Sequence, residues 1–154
     1  MIVVYHDVGG AHSTAVAANI HISRLPMNTI PTAKQILDVP TFDKIEKNQL
    51  GHLLYIGTDE NGNRVYTLGR KYKPNLVIPA IQDMFNIVNK PGEKLYIVDT
   101  HPTVNLLMKI GGFTSRRLAI VSIGRPIVTK GTLQAYKDIA NIVRGVKIRL
   151  RNEI

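Results

Sequence analysis

The sequence predicts an α/β fold: a three-layer arrangement around a mostly parallel sheet, Rossmann-like or P-loop-like, with an inserted β-hairpin. Three observations lead there. Residues 2–5 and 95–98 are short, unbroken apolar runs, and 118–123 is a third, interrupted only by Ser122; a strand buried on both faces requires such runs. Segments with helical apolar spacing separate them. Each run ends in polar or glycine residues: His6-Asp7, Asp99-Thr100-His101 and Gly124-Arg125. Alternating strands and helices imply a parallel sheet covered on both faces. At 154 residues the chain is expected to form one α/β domain over 1–154, long enough to bury a real core.

The elements follow in order. Residues 2–5 form the first strand. A helix over 13–24 starts at Ser13 or Thr14 as its cap and is stopped by Pro26. Residues 31–39 and 41–48 read as two short helices divided by Pro40, with Pro31 suited to a first turn. Leu54, Ile56, Val65 and Tyr66 flank Asn61-Gly62, a dipeptide that favours the positive φ of a tight hairpin turn. A helix covers 75–89, with apolar positions at Val77, Ile78, Ile81, Phe85 and Val88; Pro79 places its start near Ile78. After the strand at 95–98, Pro102 opens a helix that Gly111-Gly112 closes. Residues 118–123 read as the third buried strand. A last helix covers 132–144 and is stopped by Gly145. The tail at 146–151 alternates apolar and basic residues, the pattern of an edge strand with one solvated face.

Composition narrows the function classes. Without cysteine there are no disulfides, no thiolate nucleophile and no thiolate metal site. No window reaches the roughly 18 to 20 apolar residues of a membrane span, and no basic leader with a cleavage site precedes the first strand. The expectation is a cytoplasmic protein that does not engage the membrane. A net charge of +9 and a pI near 9.9 favour anionic partners, such as nucleotides, phosphorylated metabolites or nucleic acid.

In an open α/β sheet, ligands bind outside the carboxyl ends of the parallel strands. That rule gathers the three polar strand ends into one candidate site. The first end is the richest. A strand that passes through Gly9 and Gly10 into a helix beginning at Ser13 presents unpaired N–H groups to an anion. Set against the phosphate-loop pattern G-x-x-x-x-G-K-[ST], only Ser13 matches; His12 stands where the lysine would be. The reading is therefore an anion site at His6, Gly9, Gly10, Ser13 and Thr14, with Arg125 adding a planar fork of donors. His12, Asp99 and His101 are the candidates for chemistry. A structural reading stands beside each: a helix cap for Ser13, loop contacts for His6 and His12, and a salt bridge to Asp7 or Asp99 for Arg125. His6, His12, Asp99 and His101 are suitable metal-ligand types, but no paired-histidine helix motif accompanies them and no metal is assigned. No cofactor is identified. Two basic surface patches are expected, one at residues 70–73 and one on the Lys147, Arg149 and Arg151 face of the tail.

The run Tyr5-His6-Asp7-Val8-Gly9-Gly10-Ala11-His12-Ser13, followed by Ile22-Ser23-Arg24-Leu25-Pro26, resembles a small bacterial family known only as a domain of unknown function (DUF3189-like). Its members open with an apolar strand, Tyr-His, and a Gly-Gly-[Ala/Ser]-His-Ser loop. The resemblance implies a bacterial cytoplasmic protein and suggests that His6, Gly9, Gly10, His12 and Ser13 act as a unit. It assigns no reaction.

The function expected from the sequence is binding of a phosphorylated small molecule or nucleotide at the loop after the first strand, with phosphoryl transfer or phosphoester hydrolysis as the natural chemistry. Two alternatives remain open. One is a non-catalytic nucleic-acid or protein-partner module using the basic patches. The other is a metal-dependent hydrolase.

Overall fold

The computed structural model describes residues 1–153. Four strands, β1 (Ile2–Asp7), β2 (Leu54–Thr58), β3 (Arg64–Gly69) and β4 (Leu95–Asp99), form one mixed sheet in the order β2-β3-β1-β4. The helices are α1 (Ser13–His21), α2 (Ala33–Leu37), α3 (Pro74–Val88), α4 (Leu106–Gly112) and α5 (Val121–Arg151). The fold is therefore α/β as expected, but the sheet is not purely parallel.

β1 is central. It pairs in parallel with β3 on one side, Val3 opposite Val65, and with β4 on the other, Tyr5 opposite Val98. The hairpin forms at its Asn-Gly turn, with Gly62 at φ +79°. It is part of the sheet itself: β3 lies beside β1, and β2 runs antiparallel along the edge. The connection from β1 steps to β3, and the next steps back across β1 to β4. By the general right-handed rule for parallel crossovers, two steps in opposite directions place their connecting helices, α1 and α3, on opposite faces. The carboxyl ends of β1 and β3 then flank a topological switch point, the usual place for a crevice.

The main core lies on the face of Val3, Tyr5 and Val65. There α1 contributes Ala15, Val16 and Ala18, and α5 contributes Ile139 and Val143. A polar chain runs through this core. The Tyr5 hydroxyl donates to His21 Nδ1 at 2.7 Å, and His21 Nε2–H donates to Asp59 Oδ2 at 3.1 Å. Asp59 also accepts from the amides of Asn61 and Asn63. Strand, helix and hairpin turn are thus joined by hydrogen bonds that leave no member of the chain unpaired.

The C-terminal third departs from the sequence reading. Residues 118–123 are not a strand. A π-helical turn at Phe113–Arg117 continues α4, and α5 starts at Val121. Leu118, Ile120 and Ile123 are 42–57% exposed, so the run is not a buried one. A short apolar run has the same composition in a strand and in a helix, and periodicity alone does not separate them. α4 ends at Gly112 as expected, although the π-turn follows it directly, whereas Gly145 does not end α5, which runs on through the tail. In the tail, burial of Val146 and Leu150, four residues apart, overrides the alternation. On this helix Lys147 and Arg151, four apart, share a face and Arg149 does not, and Lys147 pairs with Glu60 at 2.8 Å.

Other boundaries also shift. α1 ends at His21, three residues short of the expectation. Residues 41–48 hold turns and a single 3₁₀ turn at Lys47–Gln49 rather than a helix. α2 is one short piece capped by Thr32, and α3 begins at Pro74, ahead of Pro79.

Glycine lets α4 and α5 pack backbone to backbone. A Cβ at Gly124 would collide with the Ser115 backbone, and one at Gly111 with the Val128 backbone. Neither obstacle is a side chain that can swing away. Gly124→Ala is therefore expected to destabilise the protein by about 2 kcal/mol, read as a lower urea midpoint at unchanged slope. A change below about 0.5 kcal/mol would show that the two helices are free to separate.

Candidate functional site

The loop after β1 is organised around a carboxylate. Asp7 Oδ1 accepts the amides of Gly9 (3.0 Å) and Gly10 (2.5 Å), and Oδ2 accepts the Ser13 hydroxyl (2.5 Å). Ser13 Oγ also lies 2.8 Å from Thr100 Oγ1. Gly10 sits at φ +71°, and a Cβ there would fall 2.7 Å from the Gly69 amide nitrogen. Glycine is required at this position both for its conformation and for the close approach of the β1 and β3 ends.

This geometry revises the expected anion cradle. The Gly9 and Gly10 amides already hold an internal anion, Asp7, so they do not face an open site. Ser13 is fully buried and is the first residue of α1, not its cap. The position before it is His12, whose side chain makes no cap hydrogen bond. Thr14 is also buried, and its hydroxyl has no partner among the described residues.

His12 turns toward a residue that the sequence reading passed over. Its Nε2 lies 3.0 Å from Asp43 Oδ1. Asp43 is fully buried and takes a left-handed φ of +53°. Its other oxygen accepts from Ser115 Oγ at 2.5 Å and Arg125 Nε at 3.1 Å. Arg116 and Arg125 both donate to its carbonyl. Burial by itself raises the Asp43 pKa, but the hydrogen bonds from His12, Ser115 and Arg125 outweigh it and hold the carboxyl below its ordinary range. The His12 ring is wedged edge-on against Phe42 at 5.5 Å, and a Cβ at Gly112 would come within 2.9 Å of its Cε1. Arg125 therefore lies on α5 and serves Asp43, rather than standing at a strand end.

A second cluster joins β1, β3 and β4. Arg70 follows β3 and is almost wholly buried. Its Nε donates to His6 Nδ1 at 3.0 Å, and its Nη2 reaches Asp99 Oδ2 at 3.5 Å. Arg70 is not part of a solvated basic patch, because its amide is bound to the Asp7 carbonyl and this turns the side chain inward. His6 is buried and half of this pair, not a free anion ligand. Burial lowers its pKa, opposed by nearby Asp99 and reinforced by Arg70. Asp99 Oδ1 accepts the His101 amide at 2.9 Å, which shapes the loop after β4.

The loops meet around one cavity of about 680 Å³. Its lining includes Asp7, Gly9 and His12 from the first loop, Lys71 and Tyr72 after β3, and His101 after β4. Lys47, Met108, Lys109, Phe113, Arg116 and Arg117 complete the basic and apolar walls. His6, Gly10, Ser13, Thr14, Asp99 and Arg125 do not line it. Among the described residues, no three His, Asp or Glu side chains are placed to hold a metal ion.

The sequence signals for Asp43, Ser115 and Arg116 were weak. Each lies in irregular chain or in a π-turn, far in sequence from His12. Asp43 is brought in by its amide, which donates to the Ala11 carbonyl at 3.0 Å.

His6 and His21 are both buried with depressed pKa values, burial being the main cause in each. The unfolded chain therefore binds more protons than the folded chain below the ordinary histidine value of 6.5. Their contribution is complete above that value and is lost as the pH falls through the folded values. The urea midpoint should drop between pH 7 and pH 5, before carboxylates titrate. A flat midpoint over that range would contradict two neutral, buried imidazoles.

Among the described residues no helix is long and apolar enough to cross a membrane. Comparison with curated proteins and with solved structures finds no match. The model of the family described as "Protein of unknown function (DUF3189)" matches residues 2–148, nearly the whole chain. The chain belongs to that family.

Proposed function

We propose that the protein binds a phosphorylated small molecule or nucleotide in the cavity at the carboxyl ends of β1, β3 and β4. One observation carries this reading: the imbalance of charge on the cavity lining. Lys47, Lys71, Lys109, Arg116 and Arg117 stand there against one carboxylate, Asp7, whose oxygens already accept from two amides and a hydroxyl. Arg116 is occupied with the carbonyls of Asp43 and Ile45. The other four cations have no carboxylate partner among the described residues. Unpaired cations around a concave surface raise the local concentration of anions.

The rest of the lining suits an aromatic or apolar portion of the same ligand. Val104, Met108 and Phe113 form apolar wall, and Tyr72 is 82% exposed beside Lys71. A tyrosine ring flanked by cations is a surface on which a base stacks. The cavity volume lies within the ordinary range for small-molecule sites. In this reading the Gly9-Gly10 loop acts indirectly. Its amides hold Asp7 and so shape the floor, and the ligand's anion is held by side chains farther out. His12 and His101 face the ligand. Asp99 and His6 position the loops that carry it.

Titration calorimetry with AMP, ATP and inorganic phosphate tests this. Binding should be measurable at 50 mM salt and weaken at 500 mM. AMP should bind more tightly than phosphate alone. The triple variant Lys47→Gln, Lys71→Gln, Lys109→Gln should lose about tenfold in affinity, each cation contributing roughly 0.5 kcal/mol, at unchanged melting temperature. Failure of all three compounds to bind, or equal binding by the variant, would overturn the reading.

A further inference from the structure

Resting on that binding site, we infer a hydrolytic activity: His12, held by Asp43, is the general base that activates water against a phosphate monoester bound in the cavity. The first support is the tautomer. Asp43 accepts only, so the short contact at Nε2 puts the His12 proton on that nitrogen. Nδ1 is left as a lone-pair acceptor, with no hydrogen-bond partner among the described residues, on a ring that lines the cavity.

The second support is the way the pair is held. Asp43 has no exposure, and its carboxylate gathers His12, Ser115 and Arg125 from three separate parts of the chain. It does this in a left-handed backbone conformation unusual for a residue with a side chain. Phe42 packs edge-on against the imidazole ring, and glycine at position 112 leaves the room that the ring occupies. A buried carboxylate that orients a histidine and stabilises its protonated form is the arrangement general-base catalysis uses. The third support is the neighbourhood. Lys71, Lys109 and Arg117 line the same cavity and suit a dianionic phosphoryl group.

The step balances without another reactant. Water attacks phosphorus as its proton passes to His12 Nδ1, and a new O–P bond forms. The P–O bond to the alcohol breaks with its electron pair, and the departing oxygen takes a proton from solvent. His12 then returns its own proton to solvent, leaving inorganic phosphate and the free alcohol. Here His12 is the catalytic residue and Asp43 a positioning residue.

The test uses the full chain with p-nitrophenyl phosphate, and AMP with phosphate release as the second probe. The wild type should turn both over. His12→Asn should lower kcat by about 100-fold or more, with KM within about twofold. Asp43→Asn should lower kcat while leaving KM within about twofold. That variant can fail to fold, since Arg125 and Ser115 also depend on Asp43, so nitrogen-15 imidazole spectra of the wild type at pH 8 provide a second measurement. They should show His12 protonated on Nε2 and bare at Nδ1. The inference is overturned if His12→Asn matches the wild type, or if the proton lies on Nδ1. It is also overturned, with the binding reading intact, if both esters bind by calorimetry but neither is hydrolysed. Absence of both binding and turnover would overturn the binding reading beneath it.

Discussion

At the end of β1 the chain places a carboxylate where many α/β proteins place a ligand. Asp7 takes the amides of two glycines and a serine hydroxyl, and so fixes the turn from the central strand into α1. The arrangement around it depends on that turn. Gly10 is brought against Gly69, which sets the end of β3 beside the loop. The Asp7 carbonyl takes the amide of Arg70 and directs that side chain toward His6. The Ala11 carbonyl takes the amide of Asp43 and carries the long segment after α2 back to His12. Charge–dipole attraction between a buried carboxylate and converging N–H groups is strong where water is excluded.

A second carboxylate organises the opposite side. Asp43 joins α1, the π-turn and α5 through His12, Ser115 and Arg125. The two acids are handled differently from those of an ion-pair network on the surface. Each is almost fully buried and satisfied from several directions, so removal of a single donor leaves a charge without its full complement of partners. Between them lies the cavity, with His12 belonging to its wall and to the Asp43 network at once. Lys47, Lys71, Lys109 and Arg117 on the lining pair with neither acid, and the proposed anion binding rests on them.

How much of this was legible varies with the physics involved. β1, β4 and the hairpin were legible because unbroken apolar runs and an Asn-Gly turn are local signals of strong type. The His6–Ser13 stretch was legible as a special turn, because glycine pairs between a strand and a helix have few other uses. The use of its amides was not, since only the folded loop shows that Asp7 reaches them first. Residues 118–123 misled because an apolar run of that length suits either element, and contact between Gly111, Gly124 and their neighbours settles it in favour of helix. The tail misled for a related reason. Its period of two is overridden by burial of Val146 and Leu150 against the core.

By itself the sequence determined an α/β chain with a basic surface, a β-hairpin and a polar junction after its first strand. Those properties depend on composition and on neighbours within a few residues, where sterics and periodicity act. The tertiary structure alone decided that β3 joins β1, that Arg70 points inward, that Arg125 lies on a helix, and that Asp43 meets His12 across 31 positions. Contacts at such separations follow from which surfaces pack most closely once water is excluded. No local pattern encodes that choice, because it is made by the whole chain together.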